Sequence, residues 1–269
     1  MNIIVFGAHP DDCELQVGGT AIKWVRAGHR VKFVSVANGD AGHQDHTRKE
    51  VARIRKAEAA AADAVLGVTS EVLNNPDGEI MPTLEVRFHL IRLIRKWEAD
   101  MVITHRTNDY HPDHRNTGLL VQDTAYMVIV PKVCPDTPPL KKNPVYLYTS
   151  DRFKSPEPFR PDVIVPIDEV FVQKICALHC MPSQFYEWLP WTAGRLDSVP
   201  KTNEERRASL EKSRRTEMSS SMRTAAEKMY GKEAADSIKL VEAFQVCEYG
   251  RQPSRAELQK LFPFLPPFM

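Results

Sequence analysis

Met1-Asn2-Ile3-Ile4-Val5-Phe6-Gly7-Ala8-His9-Pro10-Asp11-Asp12 is the stretch on which the fold turns. Residues 2–7 form a short apolar run, the pattern of a central parallel strand covered on both faces. The run then becomes abruptly polar. An imidazole and two adjacent carboxylates at the carboxyl end of a strand are costly to desolvate unless positive charge sits between them, and a divalent cation supplies that charge. Pro10 stiffens the turn, which lets His9 and Asp12 converge while Asp11 points elsewhere. The same residues also read as a plain polar turn with an aspartate capping the next helix.

Working outward, the spacing predicts a helix from about Gly18 to Gly28, a strand over Val31–Val36 and a glycine-rich loop at residues 38–42. An alanine-rich helix over Thr47–Leu66 stops at Gly67, another spans Leu84–Trp97, and Met101–Thr104 is a strand. Alternation of this kind implies an α/β fold: a Rossmann-like, open, mostly parallel sheet with helices on both faces. Such sheets bind ligands beyond the carboxyl ends of their strands. The second half is less regular. Prolines crowd residues 131–166, where a long loop and one or two short or edge strands are expected. A helix capped by Asp168 reaches Cys180, a charged helical stretch covers Asn203–Tyr230, and a strand lies within Lys239–Tyr249. With no repeat and no linker, residues 1–269 read as one domain.

The strand at 101–104 leads to a second polar cluster, His111-Pro112-Asp113-His114. Two histidines three apart at the mouth of a helix can face one point. Histidine and aspartate ligands with one position left open describe a catalytic zinc site and not a closed structural one. Two His-Pro-Asp units, each just after a parallel strand, are far less expected by chance than one.

Together, Ala8-His9-Pro10-Asp11-Asp12 and His111-Pro112-Asp113-His114 resemble the PIG-L/LmbE family of zinc-dependent N-deacetylases. Gly18-Gly19-Thr20, Arg55-Lys56-Ala57-Glu58, Leu66-Gly67-Val68, Pro76-Asp77-Gly78, His179 and Ser183-Gln184 extend the resemblance over roughly residues 2–190, with Glu242-Ala243-Phe244 a weaker echo. The resemblance implies His9, Asp12 and His114 as ligands of Zn2+, with Fe2+ accepted by the same donors. It implies Asp11 as the general base toward a zinc-activated water. It also implies a protonated His111 that stabilises the oxyanion, oriented by Asp113, and substrate contacts from Arg55, Asp77 and His179. The implied reaction removes an N-acetyl group from an N-acetylglucosamine-type amino sugar or glycoconjugate. A zinc amidase acting on another amide such as a thiol conjugate, or a non-catalytic sugar-binding protein on the same fold, are the alternatives. Asp11, needed for catalysis and not for ligation, argues against the last. The place of a GxGxxG loop is taken by His9 and the acidic pair, which excludes a dinucleotide-binding reading.

Other residues compete. His43-Gln44-Asp45-His46 is a second pair of histidines three apart and a rival ligand pair; the resemblance puts its loop at the pocket rim, where it reads as substrate-facing or merely solvated. His29, His89 and His105 lack a partner motif and read as structural. Arg55 could equally pair with Glu58 on its own helix. Trp188 and Trp191 can stack on a sugar face or fill core. A net charge of +1 offers no electrostatic reason for nucleic acid or an anionic membrane as partner. No run is long and apolar enough for membrane insertion. Five scattered cysteines without a CxxC pair favour a reducing, cytoplasmic location. The partner is then a small molecule or short glycan. The tail, residues 261–269, is apolar but broken by proline; with the family resemblance it suggests a homo-oligomer in which the tail forms a subunit contact, the alternative being a tail that folds back over its own domain and covers a core edge.

Overall fold

The computed structural model describes residues 1–266. Seven strands, β1 (Asn2–Gly7), β2 (Arg30–Ala37), β3 (Thr69–Asn75), β4 (Met101–Thr104), β5 (Val145–Thr149), β6 (Val163–Pro166) and β7 (Val241–Val246), form one sheet in the order β3-β2-β1-β4-β5-β7-β6. All pairs are parallel except those of β7, which runs antiparallel to both β5 and β6. The helices are α1 (Asp12–Arg26), α2 (Arg48–Leu66), α3 (Leu84–Lys96), α4 (Pro112–Gln122), α5 (Phe171–His179) and α6 (Leu189–Thr192). α7 (Asn203–Arg214), α8 (Ser220–Tyr230), α9 (Lys232–Ser237) and α10 (Arg255–Leu261) complete the set.

Side chains of a strand alternate between faces, and β1 feeds two cores. Ile3 and Val5 join Val17, Trp24, Leu66 and Ile175 from α1, α2 and α5. Ile4 and Phe6 join Leu90, Ile94, Leu120 and Val121 from α3 and α4. Helices therefore cover both faces, as the alternating pattern required. Chain direction around the sheet reverses between β1 and β4, and a crevice opens beyond the carboxyl ends of strands at such a point. The two His-Pro-Asp clusters follow those two strands.

The structure departs from the sequence reading in particular places. α1 starts at Asp12, so Gly18-Gly19 lie inside the helix and do not precede it. Gly19 is there for close approach: a Cβ on it would stand 2.7 Å from Ile167 Cγ2. The edge strand β3 was not foreseen, because its half-exposed sequence TSEVLNN carries no apolar pattern. Asp168 does not cap α5 with its side chain; its carboxylate accepts from Leu240 N instead. The charged stretch 203–230 is two helices, with α8 restarted by the Ser219 cap.

The described part of the tail takes the fold-back course. Leu261, Phe262 and Leu265 are buried in this chain's own core. Phe262 packs on Trp24 with ring centroids 5.2 Å apart, and Trp24 Nε1 donates to Leu261 O at 2.7 Å. These side chains cover the sheet face beneath α1, which removes the reason for assigning them to a subunit contact. Pro267, Phe268 and Met269 lie outside the described residues. All five cysteines are free thiols, and among the described residues no helix is long and apolar enough to cross a membrane.

Candidate active site

The turn after β1 folds tightly on itself. Asp12 Oδ2 accepts from His9 N at 2.8 Å, and α1 starts at once. Asp11 makes no side-chain capping bond and holds φ 150°, a region L-residues rarely occupy. Backbone held in such regions costs roughly 1–3 kcal/mol and persists where the surroundings over-determine it. The plain capping reading therefore fails, and Asp11 is aimed by the fold.

Beyond β4 the chain returns to the same place. His9 Nδ1 lies 3.5 Å from Asp12 Oδ2, and His114 Nε2 lies 3.5 Å from Asp12 Oδ1. The far nitrogen of each imidazole meets a carboxylate. His9 Nε2 is 3.1 Å from Asp77 Oδ1 and 3.3 Å from Asp113 Oδ2, while His114 Nδ1 is 3.2 Å from Asp109 Oδ1. A carboxylate behind a ligating histidine fixes its tautomer and orientation, the usual second layer of a metal site. His9, His111 and His114 bring one nitrogen each within 4.8 Å of one another, as do donor atoms of Asp12, His105 and His114. The donor set, imidazole nitrogen and carboxylate oxygen with backing carboxylates, fits Zn2+ or Fe2+.

Electrostatics follow the packing. Burial works against charge on His9, but bonds to Asp113, Asp12 and Asp77 outweigh it and hold the ring well above its ordinary pKa. Burial would also lift Asp12, yet His114, His105 and His9 hold it well below the usual carboxylate range. Asp11 goes the other way. Burial raises it and Asp12 adds to that, against the opposing pull of Arg55, His9 and a bond from Gln184.

That pull comes from an interlock. Arg55 Nη2 stands 3.3 Å from Asp11 Oδ1 and also donates to Pro10 O; Arg55 Nη1 donates to Gln184 Oε1 at 2.6 Å. Gln184 Nε2 in turn donates to Asp11 Oδ2 at 2.7 Å. One turn along α2, Glu58 accepts from the Ser183 backbone N at 2.9 Å and from its hydroxyl. The segments Arg55-Lys56-Ala57-Glu58 and Ser183-Gln184, far apart in the chain, are two halves of one clamp on Asp11. Arg55 thus pairs with Asp11 and not with Glu58.

Three expected roles change. Asp113 does not orient His111 with its side chain: its carboxylate accepts from Gly78 N at 2.7 Å and Ile80 N at 3.2 Å and backs His9. His111 Nδ1 accepts from Asp113 N at 3.2 Å. Burial, with His9 and His114 nearby, lowers the His111 pKa. An Nδ1 that accepts a backbone N–H leaves Nε2 to carry the ring proton, and neither that bond nor the lowered pKa favours the protonated ring that the resemblance implies. His179 stands outside the cleft wall, its Nδ1 2.7 Å from the Tyr186 hydroxyl. Two residues were missed. Ala8 N donates to His105 Nε2 at 3.1 Å, and that ring stacks on His114 at 4.4 Å. His105 and Asp109 had a usable signal, since both fall just past β4 in the stretch where such sheets place ligands.

His9, Asp11, Asp12, His111 and His114 open onto a cleft of about 1520 Å³ that also takes in Arg55, Asp77, Tyr110, Trp188 and Arg214. His43 Nε2 lies 2.8 Å from Glu187 Oε2, while its Nδ1 accepts from Asp45 N at 3.1 Å. Trp188 and Trp191 stack on each other at 5.4 Å.

Residues 4–125 match the PIG-L family model, described as GlcNAc-PI de-N-acetylase. A 4-oxalmesaconate hydratase of Pseudomonas putida is 25% identical over 197 residues, 70% of this chain and 76% of its own length. A diacetylchitobiose deacetylase of Thermococcus kodakarensis is 27% identical over 202 residues, 70% of this chain and 73% of its own. The solved N,N'-diacetylchitobiose deacetylase of Pyrococcus horikoshii, complexed with an inhibitor, superposes with a TM-score of 0.67 at 25% identity, covering 91% of this chain and 83% of that one. Both His-Pro-Asp clusters lie inside residues 4–125, the part of the chain that carries the PIG-L family match.

Proposed function

We propose that this protein is a metal-dependent hydrolase that removes the N-acetyl group from an acetylated amino sugar or glycoconjugate. The observation that carries the reading is a buried, clamped carboxylate, Asp11, beside imidazoles whose far nitrogens are each backed by a carboxylate. The deacetylase relatives support the reaction class. His9, Asp12 and His114 would hold Zn2+ or Fe2+. When bound, the ion would polarise the acetamide carbonyl and make a neighbouring water more acidic.

The chain's own residues do the rest. Asp11 takes the proton of the attacking water; its raised pKa brings it nearer the working pH, which favours a general base. Gln184 and Arg55 fix its direction. The His111 Nε2–H is free to donate to the amide oxygen as charge develops there. The proton collected by Asp11 then passes to the departing amine.

A second reading comes from the hydratase relative: the same base could take a proton from water as the oxygen adds to one carbon of an unsaturated acid's double bond, the other carbon taking up a proton, with no group leaving. Acetate release separates the two. Metal-replete protein should liberate acetate from N-acetylglucosamine or diacetylchitobiose, lose the activity on chelation and regain it with Zn2+. Asp11→Asn should keep its metal and lose about 10²–10⁴-fold in kcat, the usual loss for a general base, whereas His114→Ala should lose the metal. Undiminished acetate release by Asp11→Asn would sink the mechanism.

A further inference from the structure

Among the described residues, the cleft contains one partly buried cation with neither a hydrogen-bond nor an ion-pair partner. Of its lysines and arginines, Arg55 is bound to Asp11 and Gln184, Arg106 forks onto Asp151 at 2.6 and 2.8 Å, and Lys174 pairs with Glu242 at 2.7 Å. Arg152 and Lys154 are exposed and solvated. Arg214, the last residue of α7, differs from all of these. It is half-buried, and its Nε is closed to solvent with no hydrogen-bond acceptor. It forms no ion pair among the described residues. Its guanidinium carbon sits 5.1 Å from the centroid of the Phe185 ring. Burial works against its charge, and the one carboxylate whose field reaches it is Asp11, already in ion-pair contact with Arg55.

A cation is favoured at the carboxyl end of a helix, but that field does not satisfy guanidinium N–H groups. A sugar hydroxyl could accept from them and would still leave the charge unbalanced. The planar fork matches a carboxylate or a phosphate, and such pairs are the strong ones. Arg152 and Lys154 on the cleft wall add charge of the same sign.

We propose that Arg214 binds an anionic group, a carboxylate or a phosphate, on the amine-bearing part of the substrate, and so selects acidic amides over neutral ones. This rests on reading the cleft as an amide hydrolase site. The test compares N-acetylglucosamine with its phosphate monoester and with N-acetylmuramic acid, in the metal-replete parent and in Arg214→Gln, Arg214→Met and Arg214→Lys. The ratio of kcat/KM for the acidic to the neutral sugar should fall about ten- to a hundredfold in Arg214→Gln and Arg214→Met, the worth of one hydrogen bond to a charged group. Arg214→Lys should retain part of the preference. Whichever acidic sugar responds tells phosphate from carboxylate. Calorimetric binding of inorganic phosphate, at matched metal content and with folding checked by circular dichroism, should weaken by the same factor in Arg214→Gln. An unchanged ratio together with unchanged phosphate binding overturns the proposal. Should no sugar release acetate, the hydrolase reading falls, and the phosphate measurement still decides the role of Arg214.

Discussion

Glu242 on β7 is nearly inaccessible, at 4% exposure, and joins three elements. Its Oε1 accepts from Lys174 Nζ of α5 at 2.7 Å and from Gly19 N of α1 at 2.8 Å. Its Oε2 accepts from Thr20 N at 2.7 Å and from the Thr20 hydroxyl. Glu242→Leu would leave Lys174, 7% exposed, as a buried ammonium holding only the carbonyl of Leu15. Removing one partner of a buried ion pair costs roughly 3–5 kcal/mol. At about 2–4 °C per kcal/mol for a chain near this size, Tm should fall by about 6–20 °C. Pairing the change with Lys174→Met removes the stranded charge as well, so the double variant should recover part of the loss, with a coupling of about 1–3 kcal/mol. Thermal and urea unfolding followed by far-UV circular dichroism measure both quantities. A Glu242→Leu protein within about 1 kcal/mol of the parent, or strictly additive singles, would refute the reasoning.

Gln184→Ala removes the bond that holds the Asp11 carboxylate down. A bond to a charged group is worth about 1.5–3 kcal/mol, or about one to two pKa units. Asp11 must be ionised to act as base, so the acid limb of kcat/KM against pH should move to higher pH by that amount, and an unmoved limb contradicts the clamp. Gly118→Ala should impair both stability and activity: the new Cβ would meet the backbone oxygens of His105 at 2.7 Å and Arg106 at 3.0 Å, forcing apart α4 and the loop after β4. Overpacking against backbone costs typically about 1–3 kcal/mol, readable as a lower urea midpoint. Truncation after Lys260 deletes the buried Phe262; it should destabilise by at least the roughly 3–5 kcal/mol of a core phenylalanine, while light scattering shows the same assembly state as the full chain.

The boundaries of β4 and α2 were readable to within a residue because their signals are local. Four buried apolar residues make β4. Thr47 forms a capping box with Glu50, and Gly67 takes the left-handed conformation at φ 77°. Both faces of the sheet were readable too, since β1 is apolar at positions that alternate between two cores. The nearness of the two His-Pro-Asp clusters followed from their placement after parallel strands, which is a rule of topology expressed in sequence, whereas the choice of His9, Asp12 and His114 within them came from the family resemblance. Where each proton and each partner goes was decided only by the tertiary structure. Asp113 serves His9 instead of His111, Arg55 holds Asp11 instead of Glu58, and the Phe262 ring packs on Trp24. The physical reason is common to the three. A side chain's partner is set by which atoms come within about 3 Å once elements distant in sequence have packed, and neither residue type nor spacing carries that distance.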